Sequence, residues 1–279
     1  MKKEALVIPF SKLRIEDVPI VGGKNASLGE MYSNLTKKNI AIPNGFATTA
    51  KAYNQFIKHN KIKNKIKNIL NKHNVKNIKS LNTAGSQIRT LILKSQFPKE
   101  IEQEIIKHYK LLSKSYKSTN TDVAVRSSAT AEDLPDASFA GQQETYLNIK
   151  GNKALLEACK KCIASLFTNR AIFYRETKGF DHFDVALSIG VQKMVRSDKA
   201  SSGIMFTIDT ETGFKNAILI NASLGLGENI VKGKVNPDEY IIFKQTLNNK
   251  KYTPILSKSI GDKKIKMIYD KNKVKDIKT

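Results

Sequence analysis

Cysteine is nearly absent from this 279-residue chain, which contains only Cys159 and Cys162. A C-x-x-C pair becomes a metal site only with a second pair or nearby histidines to complete four ligands, and the sequence offers neither. Helical spacing puts both thiols on the face shared by Leu155 and Leu166, so they read as buried structural residues, the usage of a reducing cytoplasm. No apolar run is long enough to span a membrane, and the first residues lack the apolar core of a signal peptide. The expectation is a soluble, cytoplasmic protein with no membrane partner. No internal repeat or low-complexity linker interrupts the chain, and Gly22-Gly-Lys24 does not have the spacing of a P-loop, G-x-x-x-x-G-K-[ST].

Acidic residues are also scarce: 25 Asp plus Glu stand against 48 Lys plus Arg, a net charge of +23. Such an excess ordinarily raises nucleic acid or an anionic membrane as a partner. Here it is lysine mixed with Asn and Ile, as in the run 60–71, where Ile62, Ile66 and Ile69 leave the lysines on the solvated side of an amphipathic helix. With no aromatic stacking pattern and no nucleic-acid motif, the charge reads as compositional, and no specific nucleic-acid partner is expected. Arginine is the rare cation: only Arg14, Arg89, Arg126, Arg170, Arg175 and Arg196 occur. An arginine at position 126, after the apolar Val123 and Val125, suits a need for its planar two-pronged fork, and a strand-end arginine in a surface ion pair gives the same pattern.

One stretch gives that argument a location. Residues 123–149 read as a short strand, Val123 and Val125 alternating, that ends on Arg126. A run of small and hydroxyl residues with a glycine follows, then a second strand. This is how a chain builds a loop that closes over phosphates. Upstream, Gly22 and Gly23 precede a helix whose Leu28, Met31 and Leu35 recur at i, i+3 and i+7; two glycines let amides approach an anion, and the helix start adds positive potential around Lys24. Gln192 lies in an apolar strand over 185–195, where an amide and the backbone of 193–195 would meet an adenine edge; a polar strand residue facing solvent gives the same pattern. Glu228, Asp238 and Glu239 would orient ribose or water, and helix capping explains Glu228 equally well.

Between these motifs the sequence predicts a strand at 6–8, a turn at Pro43-Asn-Gly45, and Thr49 capping a helix with Tyr53, Phe56 and Ile57. It predicts helix to about Leu112, broken only at Phe97-Pro98, and a long helix over 152–176. Strands at 203–209, 217–220 and 240–243 follow, and the lysine-rich tail from Asp262 carries no element signal. The change of pattern near 195–202 suggests a hinge between two lobes.

Gly22–Glu30 and Val123–Ile149 together closely resemble the nucleotide-binding region of the phosphoenolpyruvate-utilising dikinases, phosphoenolpyruvate synthase (pyruvate, water dikinase) in particular. Further blocks are similar in the same order: 42–49, Ala164–Phe167 with Asn169–Ala171, 191–197, 200–206, and Gly225–Glu228 with Val235–Glu239. The resemblance spans essentially the whole chain. Pyruvate phosphate dikinase and rifampicin phosphotransferase share the domain, but Asn25-Ala-Ser27 and 194–202 are most similar to the synthase.

The resemblance implies an α+β, ATP-grasp-like, two-lobed nucleotide-binding domain, with residues 1–195 as the first lobe and 196–279 as the start of the second. It implies ATP bound by Lys24, Arg126, Gly141, Thr145 and Gln192, with Arg126 catalytic and the loop from Phe139 to Thr145 covering the phosphates. Mg2+ would accompany ATP, but the family's acidic metal-binding strand would come after residue 279. No metal ligand is therefore assigned here, and the domain reads as C-terminally incomplete. His59, His73, His108 and His182 do not match the family's phosphohistidine motif; the first three read as solvent-facing, and His182 sits in a family turn. The implied function is the ATP-binding portion of an enzyme that turns pyruvate, ATP and water into phosphoenolpyruvate, AMP and phosphate through a phosphohistidine on a domain absent from this sequence. Pyruvate would engage only such further domains, and the full-length protein would be a homodimer. The alternatives are the ATP-binding domain of a rifampicin phosphotransferase or an inactive nucleotide-binding fragment.

Overall fold

The computed structural model describes residues 2–130, 133–134, 137–138, 144–271 and 273–279. They form two compact units, Met1–Met194 and Val195–Thr279. The first contains β1 (Val7–Pro9), α1 (Val18–Leu35), β2 (Gly45–Thr48), α2 (Ala50–His59), α3 (Lys63–Lys72), α4 (Ile78–Lys94) and α5 (Lys99–Ser115). It continues with β3 (Val123–Ala129), β4 (Asp133–Leu134), β5 (Ala137–Ser138), β6 (Thr145–Ile149), α6 (Asn152–Ser165), α7 (Asn169–Lys178) and β7 (Leu187–Lys193). Five strands make an antiparallel sheet in the order β1-β2-β7-β3-β6, while β4 and β5 pair only with each other.

The period-2 alternation of the strands sorts this sheet into two unlike faces. Phe46, Val123, Val125, Leu187, Ile189 and Val191 turn to one side and build the main core with Phe56, Ile66, Ile88, Ile105 and Leu155 from the helices and Phe167 from the turn between α6 and α7. The residues between them, Ala124, Arg126 and Ser128 on β3 and Ser188, Gly190 and Gln192 on β7, turn to the other side, where α1 packs. A small second core of Ile8, Phe10, Leu13, Val21, Ala26 and Ala47 anchors α1 there.

Several expectations are corrected. The helical stretch before residue 112 has three breaks, because chain reversals at 60–62 and 73–77 accompany the one at 95–98. Gly45–Thr48, read only as the end of a turn, is a fully buried strand that owes its form to pairing with β1 and β7. The expected long helix over 152–176 is two, since Thr168 starts a new one by accepting from the Ala171 amide at 3.3 Å. Thr49 caps α2 through the Ala52 amide, as its position indicated. Cys159 and Cys162 are free and buried, and burial alone pushes the Cys159 thiol up to about 12.

The second unit holds β8 (Ser201–Phe206), β9 (Ala217–Leu224), α8 (Glu228–Val231), β10 (Asp238–Phe243), β11 (Ile255–Ser259), β12 (Ile265–Asp270) and β13 (Lys273–Lys278). Its four-stranded sheet runs β11-β10-β9-β8, with every neighbour antiparallel. The tail that carried no element signal pairs as β12 and β13, and Met267 joins the unit's buried residues with Ala217 and Leu226. Helices and antiparallel sheets in both units make the protein α+β. Among the described residues no helix is long and apolar enough to cross a membrane.

Candidate functional site

The polar face of the first sheet is where the sequence-derived residues collect. Directly paired residues of antiparallel strands share a face, with Cβ atoms ~4.5–5.5 Å apart. Arg126 on β3 is opposite Thr145 on β6 and, on its other side, opposite Gly190 on β7. One row therefore reads Ala47, Gly190, Arg126, Thr145 across four strands. The next row on the same face holds Gly45, Gln192 and Ala124, which puts Gln192 diagonal to Arg126. Register thus brings Arg126, Thr145 and Gln192 together. Gly141, and the loop from Phe139 to Gln143, lie outside the described residues.

Gln192 is buried rather than solvent-facing, and its Nε2 donates to the Pro43 carbonyl at 3.1 Å. Arg126 is half-buried in a strand whose other residues are all buried. At the same edge, Lys193 Nζ makes a 2.7 Å ion pair with Asp122 and lies 5.8 Å from the centre of the Tyr116 ring.

Lys24 follows a break in α1, the helix that packs on this face. Gly22 has φ 74° and ψ 160°, so the helix begun at Val18-Pro19 stops and starts again one residue later. The break lays the backbone on β3: a Cβ on Gly22 would fall 2.3 Å from Ser128 Oγ and 2.6 Å from the Ala129 carbonyl oxygen. A restarted helix exposes first-turn amides that have no intrahelical acceptor, and the Asn25 amide meets Ser128 Oγ at 3.4 Å. Lys24 is exposed in this turn, whereas Gly22, Gly23, Asn25, Ala26 and Gly29 are buried. Of the expected stripe of Leu28, Met31 and Leu35, Leu28 packs against the small second core. Only small residues and one amide permit so close an approach to the sheet, and Met31 is exposed.

Four other arginines use their forks on protein acceptors, while Arg170 is exposed. Arg175 is 1% exposed, donates to the Leu166 carbonyl and, at 2.9 Å, to His182 Nδ1, and stacks over Phe167. Burial lowers it to about 10. Arg89 donates to the Phe167 carbonyl at 2.8 Å, so two arginines hold the junction between α6 and α7. Arg14 bridges the Leu13 carbonyl and Ser33, and Arg196 grips Asp198 with two 2.7 Å bonds. Each fork serves several acceptors at once.

His182 accepts from Arg175 at Nδ1 and donates through Nε2 to Glu176 Oε1 at 2.8 Å, which fixes its neutral tautomer. Burial holds its pKa below the ordinary value of 6.5. His108, expected in solvent, packs on Phe46 with ring centres 5.7 Å apart. Glu228 opens α8 and pairs with Lys232 at 2.8 Å, and Asp238 accepts from the Gly261 amide and from Lys263. These contacts give Glu228 and Asp238 structural partners within their own unit.

Asn25, Ser128, Ser188 and Gly190 were not singled out from the sequence as contributors to this face. Their signal is faint: small and polar residues at every second position of strands whose alternate positions are Val, Ile and Leu.

A family model described as the pyruvate phosphate dikinase AMP/ATP-binding domain matches residues 18–279. Phosphoenolpyruvate synthase of Aquifex aeolicus is 56% identical over 268 residues, covering 96% of this chain and 31% of the relative. The Escherichia coli enzyme of the same name is 51% identical over 264 residues, covering 95% and 33%. A probable phosphoenolpyruvate synthase of Staphylothermus marinus is 43% identical over 278 residues, covering 99% and 32%. The chain spans about a third of the length of these curated relatives. A match from residue 18 to residue 279, with such identities along nearly all of the chain, settles its kinship: it belongs to the pyruvate phosphate dikinase AMP/ATP-binding domain family.

Proposed function

We propose that this chain binds ATP on the polar face of its first sheet and serves as the ATP-binding portion of a phosphoenolpyruvate synthase. The observation that carries the reading is the pairing of Arg126 with Thr145 in one row, beside the helix restart that presents Lys24. Lys24 and Arg126 supply the cations for the triphosphate, Arg126 acting on the transferring group. Thr145 and Gly141 belong to the covering loop, and Gln192 meets the adenine edge. The fold is ATP-grasp-like, residues 1–195 forming the first lobe and 196–279 the start of the second.

Phosphoryl transfer asks the protein mainly to hold phosphates in line and to neutralise their charge. A guanidinium fork satisfies two oxygens at fixed geometry, and the amides of a helix start add positive potential. Mg2+, when bound with ATP, neutralises further charge. Among the described residues no three His, Cys, Asp or Glu side chains come together. In the complete reaction ATP, pyruvate and water give phosphoenolpyruvate, AMP and phosphate, by way of a phosphohistidine outside this sequence. His182, held neutral between Arg175 and Glu176, has both ring nitrogens engaged and is not that carrier. A homodimer of the complete enzyme completes the reading.

Calorimetric titration of ATP into the 279-residue chain tests it. Weak binding with little response to magnesium is expected, reduced further by Arg126→Ala. Binding unaffected by both Arg126→Ala and Lys24→Ala would refute the assigned site.

A further inference from the structure

We propose that Asn25 is a positioning residue of the phosphate-binding site. Its buried side chain fixes the helix restart that carries Lys24 onto the sheet face that carries Arg126, and the bare backbone of Gly190 makes room for it. The inference rests on the reading of Lys24 and Arg126 as ATP contacts and adds how the two are held in mutual register.

Asn25 is 2% exposed. A buried amide is retained only where its donors and acceptor are used. Asn25 Nδ2 donates to Ser188 Oγ at 2.8 Å and to the Val21 carbonyl at 3.2 Å. Ser188 is itself fully buried and its hydroxyl donates to the Thr48 carbonyl at 2.5 Å. A directed chain thus runs from α1 through β7 to β2. On the backbone side the Asn25 amide meets Ser128 Oγ of β3 at 3.4 Å. One residue is therefore tied to three strands and to the carbonyl just before the Gly22 break.

The remaining atom of the amide, Oδ1, lies over Gly190: a Cβ there would be 2.2 Å from it. Gly190 is the cross-strand partner of Arg126. The place that a side chain at 190 would fill beside Arg126 is thus taken by Asn25, brought in from the helix. Because Lys24 is the neighbouring residue on the same turn, any rotation or lift of α1 that frees Asn25 displaces Lys24 relative to Arg126. Misplacing a group by about 1 Å can cost up to ~100-fold in a phosphoryl-transfer site. Aspartate is no substitute, since an ionised carboxylate has no donor for Ser188 or Val21.

The experiment is a double-mutant cycle read by ATP affinity, with the melting temperature followed in parallel. Wild type, Asn25→Ala, Lys24→Ala and the double variant are titrated with ATP, and Ser188→Ala, which removes the hydroxyl that receives the amide, is titrated alongside. Asn25→Ala is expected to weaken ATP binding about tenfold, and to add nothing once Lys24 is gone, because α1 then carries no ammonium to position against Arg126. Ser188→Ala is expected to weaken binding in the same direction while remaining folded, and it carries the test should Asn25→Ala not fold. Losses that multiply in the double variant, or unchanged affinity in both Asn25→Ala and Ser188→Ala, would overturn the inference. Unchanged affinity in Lys24→Ala alone would instead overturn the reading of Lys24 as an ATP contact, and the inference with it.

Discussion

Replacing Gly22 by alanine loads two separate penalties on one methyl group. The first is conformational. At φ 74° and ψ 160° the residue occupies a region that is essentially glycine-only, and holding another residue there costs about 1–3 kcal/mol. The second is steric. The new Cβ would lie 2.3 Å from Ser128 Oγ, 2.6 Å from the Ala129 carbonyl oxygen and 2.7 Å from that of Ser128. Two of these atoms are backbone of a central strand and cannot swing away, so the helix must lift, at an overpacking cost of about 1–3 kcal/mol. The sum is roughly 2–6 kcal/mol, a large share of the stability of an ordinary domain. Gly179, in the same unit, is the control: its φ is 72° but nothing lies within 4 Å of its missing Cβ. As an αL residue after α7, it should cost only about 1–2 kcal/mol as alanine. Urea unfolding followed by far-ultraviolet circular dichroism measures both, and ATP titration of the Gly22 variant reports whether the lift carries Lys24 with it. Equal destabilisation by the two substitutions would refute the claim that α1 is seated on β3 through Gly22. A destabilised Gly22→Ala with full ATP affinity would separate the seat from the site.

Arg126→Lys keeps the charge and loses the fork, so ATP affinity should fall roughly tenfold to a hundredfold by calorimetry, a loss of about 1.5–3 kcal/mol; undiminished binding would remove Arg126 from the site. His182 gives a pH dependence whose sign follows from its burial. Its folded pKa lies below 6.5, so below that pH the unfolded chain takes up a proton that the folded one resists. Thermal stability should therefore decline as pH drops below about 6.5 until the folded value is reached, and His182→Asn should flatten the decline. Burial pushes both cysteine thiols up, Cys159 to about 12. A thiol-specific reagent at neutral pH should accordingly label neither in the folded protein and both in denaturant; rapid labelling of the native chain would contradict their place on the buried face of α6. Binding to random duplex DNA should be weak and should vanish steeply with added salt, and salt-resistant binding would mark the net charge of +23 as functional.

The elements that the sequence made legible are those with long apolar periodicity. Alternation of Val123 and Val125 indicated β3, which runs past its expected end at Arg126 to Ala129, the apolar run over 185–195 indicated β7, and isoleucine spacing in 62–69 indicated the inward side of α3, whose Ile66 is fully buried. Local chemistry sufficed for the Thr49 cap. Short elements were missed because their reasons are not local. Gly45–Thr48 has too few residues for a period and becomes a strand by lying between two others. The tail strands β12 and β13 were hidden by lysines that lie on exposed positions of a hairpin. Leucine spacing showed only part of the inward side of α1, Leu28, because glycine and alanine bring this helix closer to the sheet than ordinary packing does.

Residue types and their order, by themselves, marked Gly22–Lys24 and Arg126 as candidate phosphate contacts and arginine as the rare cation, while the α+β class was what the family resemblance implied. Tertiary structure alone decided which of those residues are neighbours. Arg126 and Thr145 are 19 positions apart, and Gln192 is 66 positions from Arg126, yet antiparallel register sets them in adjacent rows. Asn25 and Ser188 are separated by 163 residues and joined by a 2.8 Å hydrogen bond. A period along the chain says which way a side chain turns; which strand lies opposite, and what fills the space over a glycine, is set by pairing and close packing between distant segments.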